Sequence, residues 1–275
     1  MKIDKTFSRT IVRDQIANFS NTEFVDCSSH VSGGAIYLSS NASLNLYMSQ
    51  FIRCSSSERP NQGGGIYMKG HSLQMKYVYA NKNIAGDKGQ FFYAVVPFIS
   101  SDQNGIISLI DVTFSQCGLN FQGDASSFRA EGGKQTYYRI NSTENKVHRY
   151  GAGFHVQEMT EMSMKYTTVF HTDGWNTILL QAGTGSKIIS DSNIIGNNAT
   201  DTIYGVVRFV SEYSMENCVF LENKSVRLFM SWTGIITLVN CTFDLFYEMK
   251  TGVTLIDCLC SVVPTIKIPT PDLNN

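Results

Sequence analysis

A chain of 275 residues with 43% hydrophobic content is long enough for one elongated domain or two ordinary ones around a large core. A formal net charge of -1, only 16% charged residues and no Lys/Arg run exclude the basic surface that nucleic acid or anionic lipid requires. Ser, Thr, Asn and Gly fill the polar share, a composition suited to closely spaced turns.

At the N-terminus, Ile3, Phe7 and Ile11 fall at i, i+4 and i+8 with Asp4 as an N-cap, so residues 1 to 15 read as a cap, helical from residue 3. Thr10-Ile11-Val12 reads equally well as a strand. The first residues enter no apolar stretch of the roughly 7 to 15 residues that a secretion signal needs. No later stretch reaches the roughly 18 of a membrane span, so none is expected in this chain.

From residue 16 the chain repeats itself. Gly33-Gly34-Ala35-Ile36-Tyr37 returns as Gly63-Gly64-Gly65-Ile66-Tyr67, and each copy follows a Phe-x-x-Cys, at Phe24 to Cys27 and Phe51 to Cys54. Weaker copies continue at Gly89 to Tyr93, Gly123 to Phe128, Gly151 to Val156, Gly174 to Leu180, Gly205 to Val210, Val226 to Met230 and Gly252 to Ile256. Between them lie short alternating strands such as Leu44 to Met48, Leu73 to Tyr77, Ile107 to Asp111, Met162 to Tyr166 and Ile236 to Asn240. Apolar residues at every second position bury one strand face. Large apolar partners follow at Phe24, Phe51, Phe114, Phe170, Phe220 and Phe243, three of them with Cys at the third position and Phe220 with Asn223.

A unit of two or three short strands cannot close a core alone. Stacking units about 4.8 Å apart pairs their backbones and piles equivalent side chains into columns. The expected fold is all-β: a right-handed, single-stranded parallel β-helix of pectate-lyase-like architecture over residues 16 to 260. About nine coils make a rod about 45 Å long at that spacing, followed by a Pro-containing tail over residues 261 to 275. The paired glycines meet a backbone demand, either a positive φ or too little room for a β-carbon between coils. The seven cysteines, odd in number and without a Cys-x-x-Cys, read as small buried hydrophobes on successive coils.

Phe-x-x-Asn/Cys alternating with Gly-Gly-Ala-Ile resembles the repeats of chlamydial polymorphic outer-membrane proteins. It is closer still to the trichomonad surface proteins built from such repeats, in which Cys often replaces Asn and Tyr follows the Ile. The likeness is sharp over residues 16 to 93 and stays in register to about residue 256. It implies a β-helical ectodomain at the cell surface or outside the cell, adhesin-like, whose partner is a host or neighbouring cell-surface protein or glycan. The resemblance also implies an outer-membrane barrel or a single membrane helix in many relatives, and neither pattern is visible here.

Catalysis on a β-helix calls for carboxylates converging on one strand face. Here the acids are dispersed; the nearest grouping is His155, His171, Asp173 and Asp191. No catalytic residue, metal ligand set or cofactor is therefore assigned, and the five histidines show no His-x-x-x-His spacing. His155 stands in the slot of Tyr37 and Tyr67. A carbohydrate-active lyase or hydrolase with an unrecognised site and a self-associating structural rod are the alternatives to a binding scaffold.

Binding residues are expected on loops. The longest interval between recognisable strands runs from Leu119 to Tyr150 and offers Tyr137, Tyr138, Arg139, Arg149 and Tyr150, residue types enriched at interface hot spots. Asn141, Asn41 and Asn18 are the leading glycosylation candidates among the Asn-x-Ser/Thr sequons.

Overall fold

The computed structural model describes residues 2–4, 10–13, 16–39, 42–57, 60–97, 105–118, 126–244 and 252–260. Among them there is no helix, and every strand pairing is parallel. The chain is a β-solenoid of about eight turns. Nine strands, one per coil, form a sheet from Thr10–Arg13 to Phe229–Ser231. Eight spacings at about 4.8 Å make that sheet about 40 Å long, slightly less than the expected rod.

The N-terminal segments are strands. Residues Lys2–Asp4 pair with Glu23–Val25 and Thr10–Arg13 with Ile36–Ser39, so the strand reading of Thr10-Ile11-Val12 holds and the helical one does not. Main-chain groups of the first full coil thus find partners in a sheet ladder, which a helix could not offer them. The Pro-containing tail over 261–275 lies outside the described residues.

Each coil begins with a bent strand. Ser43–Ile52, Ser72–Asn81, Ile106–Ser115 and Lys134–Thr143 are ten residues each, joined in one large sheet with their shorter counterparts in the other coils. The register runs through Asn18, Asn45, Gln74, Ser108, Thr136, Ser163, Ile188, Ser214, Thr237 and Thr254. At the bend one residue per coil has positive φ: Asn21, Met48, Tyr77, Asp111, Arg139, Tyr166, Asp191, Asn217, Asn240 and Asp257. Met48 and Tyr77 therefore leave the inward alternation that their spacing suggests, and are about half exposed. A second corner five residues on repeats the conformation at Asp26, Arg53, Lys82, Gln116, Glu144, His171, Gly196 and Glu222.

Behind that corner stands a buried column of Cys27, Cys54, Asn83, Cys117, Asn145, Thr172, Asn197 and Asn223. Each Asn bridges coils: the backbone N–H of Cys54 donates to Asn83 Oδ1 at 2.9 Å, and Asn83 Nδ2 donates to the Phe51 carbonyl at 3.0 Å. Asn145 does the same for Cys117 and Phe114, at 2.9 and 3.1 Å. Cysteine in that slot sends its thiol to a carbonyl, as Cys54 does to Phe24 at 3.4 Å. Cys218, Cys241 and Cys258 lie in a different column, behind the first corner, and all seven cysteines are free thiols. Five are buried, Cys258 is half-buried and Cys260 is exposed.

The core is built of columns. Phe24 stacks on Phe51 with centroids 4.6 Å apart, and Phe92, Phe128 and Phe154 stack at 5.0 and 5.6 Å. Such ring pairs add about 0.5–1.5 kcal/mol each beyond their area burial. Two expected members are displaced. Val169, not Phe170, fills the inward slot, pairing with Ser142 and Ile194, while Phe170 turns outward and its ring stacks on His171 at 3.7 Å. The copy at Gly252 to Ile256 joins the large sheet, where Val253–Ile256 pairs with Ile236–Val239, because its alternating Val253 and Leu255 match the Ile236 and Leu238 ladder.

Both proposed reasons for the glycine pair operate, one at each position. Gly33 and Gly63 have φ of 76° and 67°. A β-carbon on Gly34 would collide with the Gly64 carbonyl oxygen one coil on, and one on Gly64 with that of Gln90.

Candidate functional site

Along the outer face of the nine-stranded sheet one line of side chains reads Tyr37, Tyr67, Tyr93, Arg129, His155, Leu179, Arg208 and Met230. The three tyrosines stack in parallel at 5.2 and 5.7 Å. His155 does occupy the tyrosine slot, as its spacing predicts. Further along, residues that point away from the core are nonetheless buried: His155 is 2% exposed, Leu179 1% and Arg208 6%.

Aromatic residues in the adjoining turns gather beside this line. Tyr150, Trp175 and Tyr204 precede the strands Phe154–Gln157, Ile178–Leu180 and Val207–Phe209, and Trp232 follows Phe229–Ser231. Their rings touch in sequence, Tyr150 to Trp175 at 5.2 Å, Trp175 to Tyr204 at 6.0 Å and Tyr204 to Trp232 at 6.4 Å. The Arg208 guanidinium lies against them, 4.3 Å from the Tyr204 and Trp232 centroids and 5.4 Å from Tyr150. Arg149 lies 5.4 Å from the Trp175 ring. Cation–π contacts of this kind are worth about 2 kcal/mol when desolvated.

Beside this cluster is a cavity of about 290 Å³. Lys88, Arg129, Arg149 and Arg208 share its wall with Tyr150, His155, Leu179 and Gln181, so among the described residues four bases and no carboxylate line it. Arg129 is neutralised from outside the wall: Nε donates to Glu131 at 2.5 Å and Nη2 to Gln157 at 2.9 Å. The Tyr93 hydroxyl also donates to Glu131, at 2.8 Å, and burial together with that negative charge raises its pKa well above the usual tyrosine value. The Arg208 side chain makes no hydrogen bond or ion pair among the described residues, and its buried Nε has no partner.

His155 Nε2 lies 3.0 Å from Gln181 Oε1. With the amide oxygen accepting, Nε2 carries the proton and the buried Nδ1 is an acceptor without a donor. Burial first, then the charge of Arg129 and, more weakly, of Lys88 and Arg208, hold the pKa of His155 down to about 3. The ring is neutral at physiological pH. A wall of cations with one neutral acceptor attracts anions electrostatically, and among the described residues no pair of facing carboxylates is present on it.

Of the residues singled out from sequence, Arg149 and Tyr150 enter this wall and three do not. The interval from Leu119 to Tyr150 is no loop where it is described: Phe128–Glu131 and Lys134–Thr143 are regular strands, the last of one coil and the first of the next. Strand alternation turns Tyr137 inward, 1% exposed, with its hydroxyl donating to Gln135 at 2.6 Å, so it cannot meet a ligand. Tyr138 and Arg139 sit at the first corner of the large sheet. Arg139 makes a bidentate pair with Asp111, at 2.5 and 2.6 Å, and lies 4.4 Å from the Tyr138 ring.

The grouping of His155, His171, Asp173 and Asp191 does not assemble. His155 belongs to the cavity, His171 to the second corner and Asp191 to the first, where it lies 3.5 Å from Lys165, while Asp173 accepts from Asn198. Among the described residues no group of three or more His, Cys, Asp or Glu could hold a metal ion. Of the sequons, Asn18 is exposed and accepts from Asn45 at 2.8 Å, Asn141 is half-buried within Lys134–Thr143, and Asn41 lies outside the described residues. No helix of the described residues is long and apolar enough to cross a membrane.

Sequence reading missed Lys88, Trp175, Tyr204, Arg208 and Trp232. A signal existed: Tyr150-Gly151 and Tyr204-Gly205 are the same turn two coils apart, and Arg208 stands in the Tyr37 slot. Comparisons with protein-family models, curated proteins and solved structures return no match.

Proposed function

We propose that this β-solenoid is a binding scaffold, adhesin-like and displayed at the cell surface or secreted, whose partner is a protein or glycan of a host or neighbouring cell. The observation that carries this reading is the outer flank of the nine-stranded sheet. There, Tyr150, Trp175, Tyr204 and Trp232 gather around Arg208, a set of residue types that dominates recognition surfaces. The solenoid supplies rigidity, because each ring is anchored to a coil whose neighbours hold its register. The Gly-Gly-Ala-Ile and Phe-x-x-Cys repeats support surface display through the resemblance that they carry. Among the described residues no carboxylate lines the cavity on this flank, which favours binding over hydrolysis or elimination of a polysaccharide.

The test is saturable binding of the labelled full chain to intact cells, compared with a Trp232→Ala variant. Trp232 is 57% exposed, so its truncation leaves the core untouched. Binding that saturates and weakens at least fivefold in the variant is expected. Absence of saturable binding to any cell type, or an unchanged affinity in the variant, contradicts this reading.

A further inference from the structure

The cavity under the aromatic cluster carries a more specific conclusion about what the flank recognises, and it rests on the binding reading above. Arg208 is 6% exposed, yet no carboxylate among the described residues pairs with it. Its guanidinium carbon lies 4.3 Å from both the Tyr204 and Trp232 ring centroids, and cation–π contacts of this kind use none of the guanidinium N–H donors. Buried polar groups are almost always satisfied, and exceptions call for an explanation. A second exception lies on the same wall: Nδ1 of His155, 2% exposed, has no donor. Lys88 and Arg149 add positive charge to that wall.

We propose that the cavity is a receptor for an oxyanion head group, the carboxylate, sulfate or phosphate of a small molecule or chain end that also carries a hydrogen-bond donor beside the anion. The oxyanion takes the edge of Arg208 and the charge of Lys88, in the bidentate geometry for which a guanidinium is suited. The neighbouring donor, a hydroxyl or amide, meets His155 Nδ1 once the ring, which exposes almost no surface at that atom, turns toward the cavity. A bare anion leaves Nδ1 unsatisfied, which is why the ligand is a hydroxylated or amidated acid and not a simple ion. At about 290 Å³ the space is at the lower edge of the roughly 300–1,000 Å³ range of small-molecule sites, enough for one monosaccharide- or amino-acid-sized unit.

The experiment is calorimetric titration of the full chain with D-glucuronate, inorganic sulfate, inorganic phosphate and D-glucose, repeated on Arg208→Gln and on Lys88→Gln. Glucuronate is expected to bind with one site, to be displaced by sulfate or phosphate, and to weaken at least tenfold in Arg208→Gln, with glucose inert. Tighter binding of glucuronate than of either inorganic ion identifies a carboxylate ligand, and the reverse order a sulfate or phosphate ester. Lys88 is half-exposed on the rim, so Lys88→Gln serves if Arg208→Gln fails to fold; a threefold weakening is expected there. The proposal is overturned if no anion binds, if glucose binds as well as glucuronate, or if neither substitution changes the affinity. Saturable cell binding that survives such a result leaves the scaffold reading standing and removes only the oxyanion site.

Discussion

Asn83 is fully buried, and its amide joins two coils by accepting from the Cys54 N–H and donating to the Phe51 carbonyl. Alanine there strands a buried donor and a buried acceptor, at about 1–3 kcal/mol for each. Asn83→Ala should therefore lower unfolding free energy by about 2–4 kcal/mol in urea titrations. Asn83→Cys should cost less, since cysteine already serves in that slot at positions 27, 54 and 117. His155 gives a second prediction at this scale. Its folded pKa is held down to about 3, against about 6.5 when unfolded, so below pH 6.5 the unfolded chain binds a proton that the folded chain refuses. Stability is lost as pH falls from about 6.5 towards 3, by at most about 1.4 kcal/mol per pH unit from this group. Urea midpoints measured between pH 7 and 4 should fall less steeply in His155→Gln than in the parent. Phe-x-x-Cys and Phe220 with Asn223 made the buried column legible from sequence. Val169 and Phe170 were not separable that way, because two adjacent apolar residues satisfy either register; in the fold Val169 aligns with Ser142 and Ile194, and the outward Phe170 ring stacks on His171.

The paired glycines and the two positive-φ corners define each coil. Gly64 is confined by the carbonyl oxygens of Gln90 and Ile84 in the next coil, neither of which can retreat without breaking the ladder. Gly64→Ala should cost about 3 kcal/mol through backbone overpacking, with Gly70 a further site of the same kind against the Ala42 carbonyl. Thermal unfolding followed by far-ultraviolet circular dichroism checks it, and a variant as stable as the parent contradicts the stacked register. The strand following each glycine turn was readable because glycine punctuates it. The corners were not, since Met48, Tyr77, Arg139 and Tyr166 adopt positive φ although nothing in their side chains favours it. There the stacking of coils overrides local preference.

At the level of the molecule, coils about 4.8 Å apart bring together residues that are far apart in sequence. Arg129, His155, Leu179 and Arg208 are isolated in the chain and adjacent on the sheet. The fold was legible from its repeat, whereas the cavity depends on the register across five coils and on aromatic turns too varied to align by eye. For the same reason Tyr138 and Arg139 looked like partners of Arg149 and Tyr150 in sequence but sit on another face. The most direct test of the account is a crystal structure of the full chain grown with D-glucuronate. Asn83 and Asn145 are expected to bridge coils as described, with a glucuronate carboxylate on the edge of Arg208 and a sugar hydroxyl on His155 Nδ1. An empty cavity with Arg208 turned to solvent or paired with a carboxylate of the chain would contradict it.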